Sequence, residues 1–180
     1  MKKTVFLMLS VIYSITTSAQ QTQLSSSISI NIPSDAQKLN KNEALAHARK
    51  KFNNDKIALL SVGQIRDDHV YKIRDILVSL NVSDAKLKVN NTYLSDLKKG
   101  FDALTKRGNA TNYTSNLRKI NNNNVLITNE IQGNVGYCYF YCLNANHTRE
   151  ITGALHYSKE DAIEAEAILD QLLNSIKFKD

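Results

Sequence analysis

Apolar positions recur along the chain at two spacings, and the switches between them outline the elements. Ile28, Ile30 and Ile32 alternate with Ser29 and Asn31, the period of a half-buried strand, and Pro33 ends the run. Helical spacing then predicts a helix from Lys41 to Phe52: Leu45, Ala48 and Phe52 share a face, Lys41, Arg49 and Lys50 lie on the other, and Asn40 is placed to cap it. Ile57 to Val62 is apolar enough for a second strand, with a short helix as the alternative. Ile76, Val78, Leu80 and Val82 predict a strand with one face committed to a core. From Tyr93 to Arg107 the helical period returns, with Leu94, Leu97, Phe101 and Leu104 on one side and Gly108 closing it. Lys98, Lys99, Lys106 and Arg107 populate its exposed side.

Four further strands follow as an antiparallel meander: Tyr113 to Ile120, Val125 to Ile131, Val135 to Leu143 and Arg149 to Tyr157. Asn121 to Asn124 supply the first turn, because asparagine tolerates left-handed backbone at low cost, and Gly133 with Asn134 the second. A closing helix from Lys159 to about Ile176 is capped by Ser158, and Ala162, Ile163, Ala165, Leu169, Leu172, Leu173 and Ile176 form its apolar stripe. Strands and helices in this order predict an α+β fold, an antiparallel sheet flanked by helices in a layered sandwich.

The start of the chain has a different character. Lys2 and Lys3 precede an apolar run from Val5 to Ile15, too short to span a membrane, and Thr17 and Ala19 stand as the −3 and −1 residues of a signal-peptidase site. Residues 1–19 therefore read as a cleavable export signal, residues 20–27 as a flexible Ser/Gln-rich leader, and residues 28–180 as a single domain. The expected location is periplasmic or secreted, with no membrane span after cleavage and no cysteine near the cleavage point to accept a lipid.

Loss of Lys2 and Lys3 lowers the formal charge from +6 to +4, and that charge is unevenly spread. Residues 20–119 hold 17 basic and 9 acidic side chains, residues 120–180 hold 4 and 8. Such a division either makes a dipolar surface that steers a charged partner or two ordinary solvated faces. The basic residues are not interleaved with aromatics, which argues against nucleic acid.

Candidate chemistry is sparse. Cys138 and Cys142 lie four apart in a strand, about 13 Å along it, whereas a disulfide needs Cα atoms within about 7 Å. Two buried free thiols are expected unless the strand is broken. His47, His69, His147 and His156 have no ligand-type partner at helical spacing, so no metal and no cofactor is implied. Asp67, Asp68 and His69 form the one cluster with an acid/base flavour. Tyr137, Tyr139 and Tyr141 share a strand face, opposite Cys138, Phe140 and Cys142. If that face is open, the tyrosines make a protein-binding row; both faces covered is the alternative.

The hairpin Lys119-Ile120-Asn121-Asn122-Asn123-Asn124-Val125, the strand end Gly153-Ala154-Leu155-His156-Tyr157, the closing Leu173-Asn174-Ser175-Ile176-Lys177-Phe178 and the opening Ile30-Asn31-Ile32-Pro33 together resemble the PsbP-like/DcrB-like family of small, often exported α+β proteins. The resemblance covers the last 65 or so residues best and implies a PsbP-like sandwich. It further implies a noncatalytic role in binding another protein or assisting assembly; the leading reading is such a protein of the cell envelope, a class that includes an inhibitor or immunity protein presenting a charged face. Tyr137, Tyr139, Tyr141, Lys98, Lys99, Lys106 and Arg107 are the candidate binding residues. The alternative is a small exported hydrolase acting through Asp67, Asp68 or His69.

Overall fold

The first helix, α1 (Lys41–Phe52), begins on a capping box: the Asn40 side chain accepts from the Glu43 backbone N–H at 3.0 Å, and Glu43 accepts from the Asn40 N–H at 2.8 Å. Such a cap stabilises a helix end by about 1 kcal/mol. Asn53, in the left-handed region at φ 46°, ends it. A second helix, α2 (Asp55–Gly63), follows almost at once, so that of the two states open to 57–62 the short helix forms and not the strand. The Asn54 side chain accepts from the Ile57 N–H at 3.1 Å, and Ala58 and Val62, four apart, are both buried. A short apolar run has no period of its own to distinguish the two states, so the cap decides. These features come from a computed structural model, which describes residues 19–63, 69–83, 88–108 and 112–179. The expected export signal thus lies outside the described residues except for Ala19.

The strands are β1 (Gln20–Gln23), β2 (Ile28–Ile32), β3 (Gln37–Leu39), β4 (Val70–Ile73), β5 (Ile76–Val82), β6 (Tyr113–Ile120), β7 (Asn123–Gln132), β8 (Val135–Leu143), β9 (Glu150–Ser158) and β10 (Lys177–Phe178); the remaining helices are α3 (Tyr93–Arg107) and α4 (Ala162–Ser175). They build an antiparallel seven-stranded sheet in the order β3-β4-β5-β9-β8-β7-β6 and a three-stranded sheet in the order β1-β2-β10. The fold is α+β, as the order of elements predicts. Gln20–Gln23, expected to belong to a flexible leader, pairs with β2 from Gln20 opposite Ile32 to Gln23 opposite Ser29. Leu24 and Ser27 in the connection are buried, which ties it down.

Period-two alternation gives the large sheet two different faces. On one, Ile76, Val78, Leu80, Val125, Ile127, Cys138, Phe140, Cys142, Ile151 and Leu155 meet Ile28 and Ile30 of β2 and Ala165, Ile168, Leu169, Leu172 and Leu173 of α4 in the main core. Each fully buried large side chain here contributes about 1.5–3 kcal/mol. Gly153 belongs to this face, and a Cβ on it would fall 2.3 Å from the Phe140 ring. The opposite face is covered at one end by α1 and α2, through Leu39, Ala44, Ala48, Val70 and Leu77, and at the other by α3, through Leu94, Leu126 and Leu143.

Three turns explain the register of the sheet. Asn121 and Asn122 adopt φ of 48° and 67°, so the β6–β7 turn closes in two residues and Asn123 already belongs to β7. Gly133 at φ 61° closes β7–β8. Arg74 at φ 54° lies in the two-residue link joining β4 to β5, a hairpin the apolar pattern of Val70–Ile73 alone did not disclose. The closing helix starts as a 3₁₀ turn over Lys159–Asp161, and Ser158 makes no side-chain cap bond there. Ile163, expected in its apolar stripe, is 85% exposed, because at 100° per residue it points away from Ala165, Leu169 and Leu172.

Candidate functional site

Strand β8 places Tyr137, Tyr139 and Tyr141 on the face shared with α3, and Cys138, Phe140 and Cys142 in the core beneath α4, as alternation requires. Both cysteines are free and buried. The tyrosine face is not an open row. Tyr137 is 8% exposed and packs edge-on against His156, with ring centroids 5.3 Å apart, while the Tyr139 ring meets the same imidazole at 6.0 Å. Tyr141 leans on Phe101 of α3 at 5.7 Å. Burial pushes the Tyr139 hydroxyl up to about 12, with neighbouring Tyr137 and Glu130 adding to it, and burial also lifts Tyr141. Both phenols are therefore neutral at physiological pH and serve as hydrogen-bonding contact groups, not as bases. At the far end of this face burial raises Glu150, against a hydrogen bond from Tyr93.

The basic residues of α3 divide. Lys98 is held by Asp102 at 2.6 Å, and Asp102 also accepts from the Ser115 hydroxyl at 2.5 Å, which ties α3 to β6. Lys99 pairs with Asp96 at 3.0 Å. Lys106 is exposed, and the Arg107 side chain lies outside the description. At 100° per residue, Lys99 and Lys106 stand on the side of α3 away from the line formed by Tyr93, Leu97, Gly100 and Leu104. The structure therefore brings Tyr141 to α3 but does not gather the lysines around the tyrosines.

That line on α3 is where the structure departs from the expected core face. Leu94 alone of Leu94, Leu97, Phe101 and Leu104 is buried, because the helix turns one edge to Leu126 and Leu143. Leu104 is 63% exposed. With Tyr93, Leu97 and Phe101 it walls an open concavity of about 490 Å³ whose floor is Gly100, where an added Cβ would meet nothing within 4 Å.

Charge is more evenly matched than its distribution along the chain implied. Lys51–Asp161 at 2.6 Å, Arg118–Asp170 at 3.8 Å and the Arg74–Glu164 pair each join the basic first part to the acidic last part. Of the acid/base cluster, Asp67 and Asp68 lie outside the described residues, and His69 Nε2 is within hydrogen-bond distance, 2.9 Å, of the Leu24 carbonyl. Among the described residues no three His, Cys, Asp or Glu side chains converge to hold a metal, and no helix is long and apolar enough to cross a membrane.

A second concavity, which the apolar pattern did not disclose, opens between α4 and β6–β7 on the core side of the sheet. It encloses about 450 Å³ over Ile127, Cys138, Tyr157 and Leu169, with Arg118, Glu166 and Asp170 at its rim. Its trace in the sequence is a spacing of small residues, Ala162 and Ala165, where α4 would otherwise carry bulk. Compared with protein-family models and with curated proteins, the chain matches none.

Proposed function

We propose that this chain is a noncatalytic exported protein, periplasmic or secreted, that binds another protein of the cell envelope through the outer surface of α3. The observation that carries the reading is Leu104, a large apolar side chain 63% open to water at the end of a stripe containing Tyr93, Leu97 and Phe101. Apolar residues gathered around a concavity, with half-buried tyrosine beside them, are the composition of an interface core. Lys106 and Lys99 lie on the far flank and steer approach instead of entering the contact. The resemblance to PsbP-like/DcrB-like proteins supports a binding or assembly role, and the expected export signal supports a location in the envelope. Gln20, the expected first residue after cleavage, is also the first residue of β1.

The test is affinity capture from the envelope fraction with the wild-type chain and with Leu104→Asp, after N-terminal sequencing of the exported protein. Processing at Gln20 and one stoichiometric partner lost on Leu104→Asp support the proposal. Retention of cytoplasmic full-length chain, or capture indifferent to Leu104, overturns it.

A further inference from the structure

The groove beneath α4 lies on the opposite face of the sheet from the α3 surface, so it is independent of the docking reading. Its existence follows from three small residues and one large one. Ala162 and Ala165 leave the α4 wall low. Gly136 on β8 lets the Tyr157 ring lie flat across the strand: a Cβ there would fall 2.1 Å from that ring. The result is a concavity of about 450 Å³, within the range of small-molecule sites, with an aromatic and aliphatic floor.

The floor carries no charge. Burial pushes both the Cys138 thiol and the Tyr157 hydroxyl up to about 12, with Glu166 adding to each. Charge enters only at the rim, from Arg118, Glu166 and Asp170. Arg118 sits 3.8 Å from Asp170, and among the described residues Glu166, one turn away on the same helix, enters no ion pair. α4 itself carries Glu164, Glu166 and Asp170 and no basic residue. The rim therefore offers one uncompensated carboxylate above an apolar floor.

We propose that this groove binds a small amphipathic cation, its apolar body on Tyr157, Ile127 and Leu169 and its ammonium group against Glu166. An anionic analogue of the same shape is rejected by that carboxylate, and a neutral one binds through the floor alone.

Three probes with one ring and different head groups test this by amide chemical-shift titration of the isotopically labelled protein: 2-phenylethylamine, 2-phenylethanol and 3-phenylpropanoate. The amine is expected to bind about tenfold more tightly than the carboxylate, since a charge-assisted contact accounts for roughly that factor. Shifts should fall on β6, β7 and α4. Glu166→Gln, at an exposed position that leaves the core intact, should remove the preference while leaving the alcohol unchanged. Ala165→Phe should fill the groove and abolish all three, and the loss of the amine preference in Glu166→Gln gives a readout that does not depend on that variant folding. Binding of none of the probes, shifts elsewhere, or a preference that survives Glu166→Gln overturns the proposal.

Discussion

The ammonium group of Lys51, at the end of α1, lies 2.6 Å from the Asp161 carboxylate and 2.6 Å from the Asp75 backbone carbonyl, so one side chain joins a helix, the β4–β5 turn and the start of α4. The Lys51 side chain is 10% exposed and that of Asp161 24%. Removing the lysine leaves a mostly covered carboxylate without its donor, which costs more than an exposed pair would. Lys51→Ala is expected to lower unfolding free energy by about 2 kcal/mol, and Lys51→Arg by less, measured by urea denaturation.

Gly136 faces the Tyr157 ring so closely that any side chain must displace it. Gly136→Ala should cost about 1–3 kcal/mol through overpacking. Tyr157→Leu in the same chain should recover part of that loss, a coupling that a double-mutant cycle in denaturant would read. Additive costs would mean that the ring is not what constrains residue 136.

Two half-buried titratable groups set opposite pH slopes. Burial, followed by the nearby Lys72, holds His47 below its ordinary range, so the unfolded chain binds a proton there more readily than the folded one. Stability contributed by neutral His47 is therefore present above about pH 6.5 and falls as pH drops below it. Among the described residues its Nε2 finds no hydrogen-bond partner. His47→Gln should flatten this acid limb in denaturation midpoints recorded from pH 7.5 to 5.

Glu150 behaves in the reverse sense. Burial raises its carboxyl, so the folded state holds the proton more tightly, and stability is lost as pH rises through about 4.3 and above. Its Oε1 is buried without a hydrogen-bond partner among the described residues. Glu150→Gln should raise the thermal midpoint at pH 7 by a few degrees, about 1 kcal/mol, and scanning calorimetry of the two proteins would decide it.

Cys138 and Cys142 share a face of an unbroken strand, and both are buried. No thiol should react rapidly with an aromatic disulfide reagent in the native protein, and both should react in guanidinium. A native protein without free thiols after unfolding would mean that the strand does not persist.

The elements with a long period were legible in the residues. α3, α1 with its Asn40 cap and the β6–β9 meander with its asparagine turn were all set by local spacing and turn chemistry. α2 was not, because Ile57–Val62 is apolar without periodicity and the Asn54 cap decides its state. β1 and β3 were missed for another reason: Gln20–Gln23 and Gln37–Leu39 are polar and become strands through pairing with β2 and β4. The side on which the three tyrosines lie follows from alternation, but their exposure depends on His156 and Phe101, which are remote in sequence. The groove under α4 is defined by missing bulk at Ala162, Ala165 and Gly136, a signal that hydrophobic patterning does not register.

The three-stranded sheet has a consequence for how the chain comes to its final form. β2 is flanked by β1 on one edge and by β10 on the other, where Lys177 stands opposite Ser29 and Phe178 opposite Ile28. One edge of that strand is supplied almost immediately in synthesis and the other only after β3 to β9 and α4 have been made. Closing so long a loop is entropically costly and has little local pairing to assist it. β2 thus waits, half paired, for β10, a strand made only after the whole seven-stranded sheet.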